Sequence, residues 1–258
     1  METICILVTT ALRCSQQRWT ASEPARRAAM SSVDCLEQNP AQTFVDEHFA
    51  PMSGVAIAAG PVADHTAGLD PEERALVADS ADQRRHQFAT GRYLARQAMQ
   101  ALGMAPAAIG RSDARAPAWP DCVGSISHTS TLAAAVTARG HGIRGVGIDL
   151  ERLGRITQAM HARLYTDAER DRYAEDEPHW PSLLFSAKEC AYKAVNPICG
   201  TYIGFQEVEI DVDWKRHRFA ARYIGAHAPN ALMNQGDGHF GFFADHVISL
   251  LVVRRPTR

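Results

Sequence analysis

The sequence predicts an α+β fold in two similar halves that meet near residue 143. A long helical pattern around residues 80–103 is followed by three short strand patterns, and a second around 181–196 is followed by four more. No sequence-level repeat links the two series, so the expected duplication rests on element order alone.

The first helix is read from SADQRRHQFATGRYLARQAMQALG, where Phe88, Leu94, Ala95, Ala98, Met99 and Leu102 recur at roughly helical spacing and Gly103 supplies a stop. Arg85, Arg92 and Arg96 line up near another face, with Arg84 one turn before Phe88. GSISH at 124–128, LAAAVTA at 132–138 and IRGVGIDL at 143–150 read as strands joined by turn residues. Thr166 with Glu169 three residues later forms a capping box for a short helix. Pro181 suits the first turn of the second long helix, which Asn196 and Pro197 are expected to stop. QEVEIDV, RFAARYI, GFFAD and HVISLLVV then read as antiparallel strands.

With 258 residues, 46% hydrophobic and 22% charged, the chain has the make-up of an ordinary soluble globular protein. A formal net charge of −2 argues against a general nucleic-acid or membrane surface, so any basic site must be local. The cysteines at 5, 14, 35, 122, 190 and 199 form no CxxC pair and no zinc spacing, which suits reduced thiols in a cytoplasmic protein. Residues 3–12 offer the one candidate signal segment, but no basic residue precedes them and the cleavage site is poor. No apolar stretch is long enough to span a bilayer. Residues 1–45 differ in composition and lack a sustained period, which points to a disordered extension or to codons upstream of a later start at Met30 or Met52. The expected division is therefore 1–45, then 46–142, then 143–258.

The chemistry gathers in two stretches. In GVGIDLE, strand alternation sends Asp149 and Glu151 to one side and Val146, Ile148 and Leu150 to the other. Two neighbouring carboxylates call for a cation between them, a hard divalent ion being the usual occupant, or else belong to an edge strand with a solvated polar face. In FSAKECAYKA, Glu189 and Lys193 are four apart, as are Lys188 and Tyr192, which alone would be an ion-paired solvated helix. Taken together, Glu189 can complete a ligand set begun by Asp149 and Glu151, while Lys188 and Lys193 offer cations to phosphate oxygens.

GVGIDLE followed some forty residues later by FSAKECAYKA resembles the paired signature of the 4′-phosphopantetheinyl transferases, and RRHQFATGRYLARQAMQALG, PAWP and GSISHT resemble further blocks of the subgroup that includes the enterobactin-synthase component D enzymes. The resemblance runs from about residue 50 to the end. It implies two pseudo-symmetric α+β halves with coenzyme A in the cleft between them. It also implies a magnesium-dependent transfer of the phosphopantetheine arm to a serine of an apo acyl, peptidyl or aryl carrier protein, releasing adenosine 3′,5′-bisphosphate. Breaking a pyrophosphate calls for a metal held by carboxylates and for basic side chains on the leaving group.

By the same resemblance Asp149 and Glu151 match metal-binding carboxylates, and Glu189 matches a third acid that holds magnesium or serves as general base. Lys193 matches the lysine that stabilises the leaving phosphate, and Lys188 one that contacts phosphates. His128 matches a histidine on a coenzyme A phosphate, against the plainer role of a turn residue. Arg84 and Arg92 match arginines at the nucleotide end, where a planar guanidinium suits a phosphate. Arg111 stands where relatives often carry a lysine. Arg85 and Arg96 keep the plain role of a solvated helix face, and Trp119, Pro120, Gly145, Gly147, Phe185, Tyr192 and the small Cys190 are expected to shape the cleft. A monomer is the expected state, since one chain supplies both halves. The alternatives are a non-catalytic coenzyme A-binding module and another magnesium phosphotransfer enzyme or nuclease, the latter disfavoured by the near-neutral charge.

Overall fold

Asn39 and Pro40 carry a helix-start signal, an N-cap side chain followed by proline at the first helical position. The computed structural model describes residues 39–49, 51–112, 116–173, 177–226 and 230–255. This first helix, α1 (Pro40–His48), lies partly within the stretch expected to be an extension, and buries Ala41 and Val45. The correction has a physical cause: Asn39 and Gln42 bond the backbone of Ala59 and Ile57 on the first strand, so the helix is fixed by long-range contacts that composition does not reveal. The expectation for residues 1–38 lies outside the described residues.

The N-terminal half contains β1 (Val55–Pro61), the short helix α2 (Pro71–Ala75), the twenty-residue helix α3 (Asp82–Ala101), a small hairpin β2 (Gly110–Arg111) and β3 (Pro117–Ala118), then β4 (Val123–His128) and β5 (Leu132–Ala138). Its sheet has the order β1-β5-β4, all antiparallel. Helix α3 buries Leu94, Ala95, Ala98 and Met99 against Ala133 and Ala135 of β5, where alanines let a helix approach closely.

The C-terminal half contains β6 (Ile143–Arg152), α4 (Gln158–Leu164), α5 (Asp167–Tyr173), the twenty-residue α6 (Trp180–Cys199), β7 (Val208–Asp213), β8 (Arg218–Tyr223), α7 (Asn230–Met233), β9 (Gly236–Phe243) and β10 (His246–Arg254). Its sheet runs β6-β10-β9-β8-β7, again antiparallel. In each half, then, the strand before the long helix pairs with the last strand, which pairs with the one before it. The duplication that residue identity conceals is present in the topology, and the fold is α+β as the sequence predicts.

The two sheets meet face to face and edge to edge. Val136 and Leu132 of β5 share one core with Ile148 and Leu150 of β6 and with Ile248 and Leu250 of β10. The edge strands β4 and β6 lie side by side without joining one sheet. Serine side chains bridge them instead: Ser127 Oγ accepts from Leu150 N at 3.1 Å, and Ser125 Oγ donates to Ile148 O at 3.5 Å. The seam is therefore a groove with its own polar lining.

Helix α6 runs past the expected stop, with Pro197 inside its last turn and the end at Gly200, which adopts φ 64°. A proline this close to the C-terminus removes only one helical hydrogen bond, and the left-handed glycine makes the true end. Among the described residues no helix is long and apolar enough to cross a membrane.

Candidate functional site

Gly145 and Gly147 explain how a helix comes to lie on the carboxylate-bearing strand. A Cβ added at Gly147 would stand 2.0 Å from the carbonyl oxygen of Cys190, and one at Gly145 would stand 2.2 Å from that of Ala194. Only glycine permits this approach, and the pairing of 147 with 190 and 145 with 194 makes α6 antiparallel to β6. Asp149 and Glu151 continue the same strand face beyond the glycines, where Glu189 and Lys193 of α6 meet them. All four side chains line one cleft of about 560 Å³, together with Ser127, His128, Arg152 and Arg155.

Asp149 and Glu151 are each 5% exposed, so the edge strand does not present a solvated polar face. Lys193 Nζ donates to Asp149 Oδ1 at 2.6 Å and reaches Ser127 Oγ and Ile148 O, both at 3.3 Å. Burial alone would lower the pKa of this lysine, but Asp149 beside it wins and raises it, so the ammonium stays charged. Burial pushes the Glu189 carboxyl up, and the charge of Asp149 adds to that push against Lys193. Glu151 is raised chiefly by burial, against the opposing pull of Arg155, whose Nε stands 2.9 Å from its Oε1.

Among the described residues no three His, Cys, Asp or Glu side chains close up as a metal-ligand set. The donor chemistry nevertheless fits a hard divalent cation. Asp149 Oδ2 is buried without a hydrogen-bond partner, and two further acids on the same cleft are held in places where burial disfavours their charge.

The second part of the site is cationic and comes from the N-terminal half. Arg84, Arg92, Arg111 and His128 line a pocket of about 170 Å³ with Gln87 and Phe88. His128 and Ile126 line this pocket and the carboxylate cleft alike, so the two adjoin at these side chains. Arg84 Nη1 stands 2.6 Å from His128 Nε2. Burial, then the charges of Arg84 and Lys193, push the imidazole down to about 4, so His128 is neutral at physiological pH. Arg92 is held by its Nε bond to Ile109 O at 3.1 Å and lies over the Phe88 ring at 4.2 Å. Burial lowers its pKa to about 10 against the opposing pull of buried Glu73, whose Oε1 stands 4.0 Å from its Nε, and it stays charged. The side chains expected to stay on a solvated face differ from one another. Arg85 pairs with Asp82, whereas Arg96 reaches the fully buried Glu73. A third, apolar recess of about 340 Å³, lined by Trp119, Tyr192 and Pro197 among others, adjoins the cleft at Lys193 and Ile126.

Lys188 does not join the cleft, which corrects the phosphate contact expected for it. It is 2% exposed, and its Nζ donates to Glu169 Oε2 at 2.6 Å, Leu164 O at 2.9 Å and Phe205 O at 2.9 Å. Those bonds use the three donors of an ammonium inside the C-terminal core, leaving none for a phosphate. On a helix, residues 188 and 189 project about 100° apart, so adjacent charges reach different places. Sequence reasoning also passed over Ser127 and Arg155. Ser127 donates to Asp149 Oδ1 at 2.9 Å, and the alternation of GSISH, which puts Ser125 and Ser127 on one face, is the signal that could have found it.

Comparison with known proteins finds two family models that match the chain. The family model for the 4′-phosphopantetheinyl transferase N-terminal domain matches residues 72–138, and that for the 4′-phosphopantetheinyl transferase superfamily matches residues 145–250. The chain is 38% identical over 162 residues to 4′-phosphopantetheinyl transferase Svp of Streptomyces mobaraensis, covering 60% of this chain and 66% of that one. It is 35% identical over 158 residues to 4′-phosphopantetheinyl transferase PptT of Mycobacterium tuberculosis, covering 60% and 70% respectively. Enterobactin synthase component D of Escherichia coli is 34% identical over 110 residues, 40% of this chain and 50% of that one.

Proposed function

This chain belongs to the 4′-phosphopantetheinyl transferase superfamily, and from that premise we propose that it transfers the 4′-phosphopantetheine arm of coenzyme A to a serine of an apo carrier protein in a magnesium-dependent reaction. One observation carries the reading. A cleft of buried acids with a charged lysine, built mainly by the C-terminal half, adjoins a cationic pocket of the N-terminal half at His128 and Ile126.

In this reading Arg84, Arg92 and Arg111 take the phosphates at the nucleotide end, where guanidinium forks match phosphate oxygens. Neutral His128 stands between them and the acids, and it bonds a phosphate oxygen once Arg84 turns from its Nε2 to the phosphates, adding no buried charge of its own. Asp149, Glu151 and Glu189 would hold the magnesium ion. When bound, that ion supplies charge neutralisation at the pyrophosphate. Glu189, with its carboxyl raised by burial, takes the proton of the serine hydroxyl as the oxygen attacks the phosphorus bearing the pantetheine arm. The bond from that phosphorus to the bridging oxygen breaks, and adenosine 3′,5′-bisphosphate leaves with its new negative charge facing Lys193. Lys188 has no part in this scheme beyond holding α6 in place.

The test is intact-mass spectrometry of apo carrier proteins incubated with the chain, coenzyme A and magnesium. A mass gain of one phosphopantetheine group is the expected result. Coenzyme A binding with no gain on any acyl, peptidyl or aryl carrier would instead favour a binding module. The natural carrier belongs to fatty-acid, polyketide, nonribosomal-peptide or siderophore synthesis, and the ranking of carriers in that experiment identifies which. The working unit is taken to be a cytoplasmic monomer, since one chain contributes both walls of the cleft.

A further inference from the structure

Asp245, in the turn between β9 and β10, and His246, the first residue of β10, reach both rims of the cleft. Asp245 Oδ1 lies 2.9 Å from His246 Nδ1, and His246 Nε2 lies 2.9 Å from Thr129 Oγ1 across the seam. Thr129 Oγ1 already accepts from Leu132 N at 3.1 Å and Thr131 N at 3.4 Å, so its own proton is what remains to share. Of the two acceptors in reach, His246 Nε2 is closer than Leu132 O at 3.4 Å. The ring therefore keeps its proton on Nδ1, donates it to Asp245, and accepts from the threonine. His246 is 3% exposed, so its ring is shielded from water, whereas the Asp245 side chain at the other end is half exposed. The other oxygen of Asp245 accepts from Arg152 Nε at 2.8 Å, beside Glu151.

We propose that His246 is a positioning residue that fixes the His128–Thr129 turn of the N-terminal half against the acid-bearing C-terminal half, and so sets the coenzyme A end of the cleft. The proposal rests on the transferase reading, because it assigns that end to coenzyme A. The alternative is that Thr129 merely closes its own turn and His246 merely fills space. The His128 side chain is held at its tip by Arg84, and its backbone is tied across the seam on both flanks, by Ser127 to Leu150 and Asp149 and by Thr129 to His246.

Calorimetric titration of coenzyme A into the wild-type chain and into His246→Ala, Thr129→Val, Thr129→Ser and the His246→Ala/Thr129→Val double variant tests this, with Tm and steady-state kinetics for each. Each of the first two variants is expected to bind about tenfold more weakly, the scale of one lost buried hydrogen bond. The double variant should be no weaker than the worse single, and Thr129→Ser should match wild type. The loss should fall on KM for coenzyme A, with kcat at saturation changed less than about twofold. Coenzyme A affinity equal to wild type in both singles, or losses that add in the double, would overturn the proposal while leaving the transferase reading intact. A wild-type chain that binds no coenzyme A would overturn that reading and this one together. Should His246→Ala fail to fold, the Thr129→Val and Thr129→Ser pair decides alone.

Discussion

The two halves share the order of three strands and have one twenty-residue helix apiece, yet they have opposite chemistry at the seam. In the N-terminal half α3 and β4 present Arg84, Arg92 and His128, and β2 presents Arg111. In the C-terminal half β6 and α6 present Asp149, Glu151, Glu189 and Lys193. The difference shows how a duplicated scaffold can divide its chemistry, with one copy supplying positive charge for phosphates and the other acids for a cation and a proton. Each set is only partly paired within its own half, Lys193 with Asp149, Arg155 with Glu151 and Arg92 with Glu73 at 4.0 Å, and burial still pushes Glu189 and Glu151 up and Arg92 down. The shifts that persist despite these pairs mark groups that a ligand charge would relieve.

The sharpest way to break this comparison is Glu189→Gln, which should lower kcat by about 10²–10⁴-fold, the range of a lost general base. The same change should raise Tm at neutral pH, without added divalent cation. A carboxyl whose folded pKa lies above its unfolded value binds protons more readily when folded, so its contribution to stability falls as pH rises through that window. The Tm gain should therefore vanish below the ordinary glutamate pKa. A variant less stable than wild type at neutral pH would contradict the strain assigned to this acid.

Next in size is Lys188→Ala, which leaves Glu169 buried without its cation. A loss of about 3–5 kcal/mol by denaturant unfolding is expected, with coenzyme A affinity unchanged in the folded fraction. Weakened coenzyme A binding in a stable variant would return this lysine to the cleft.

A smaller effect compares the glycines under the two helices. Gly147→Ala drives a Cβ into the backbone carbonyl of Cys190, whereas Gly91→Ala in α3 meets only the Cγ2 of Ile126, at 2.7 Å. Overpacking of the first should cost about 1–3 kcal/mol and displace Glu189 from Asp149, while the second relaxes by a side-chain shift and costs less. Equal costs in thermal unfolding would mean that α6 is no more tightly seated than α3. Arg84→Ala should have the mildest effect, weakening coenzyme A by about tenfold through one lost charged hydrogen bond, with the Tm little changed.

Much of this was legible in the sequence because it follows short-range periodicity. Alternation in GVGIDLE sorts acids from core residues, and the four-residue spacing of Glu189 and Lys193 puts them on one face. Lys188 was not legible, because its fate depends on Glu169 and on the carbonyls of Leu164 and Phe205, all set by tertiary packing. Helix α1 carried an Asn-Pro start signal, but in a stretch whose composition resembles an extension. The duplication of the halves was legible in the order of helix and strands, but the strand order within each sheet was not, since it constrains backbone pairing and leaves side-chain identity free.

The most direct measurement is coenzyme A affinity set against transfer in Asp149→Asn and Arg84→Ala. If the halves divide the work, Asp149→Asn should bind coenzyme A within about threefold of wild type and fail to modify any carrier, since the cationic pocket is built without it. Arg84→Ala should lose affinity yet still transfer at saturating coenzyme A. Asp149→Asn losing coenzyme A affinity as Arg84→Ala does, or retaining full transfer, would contradict the division.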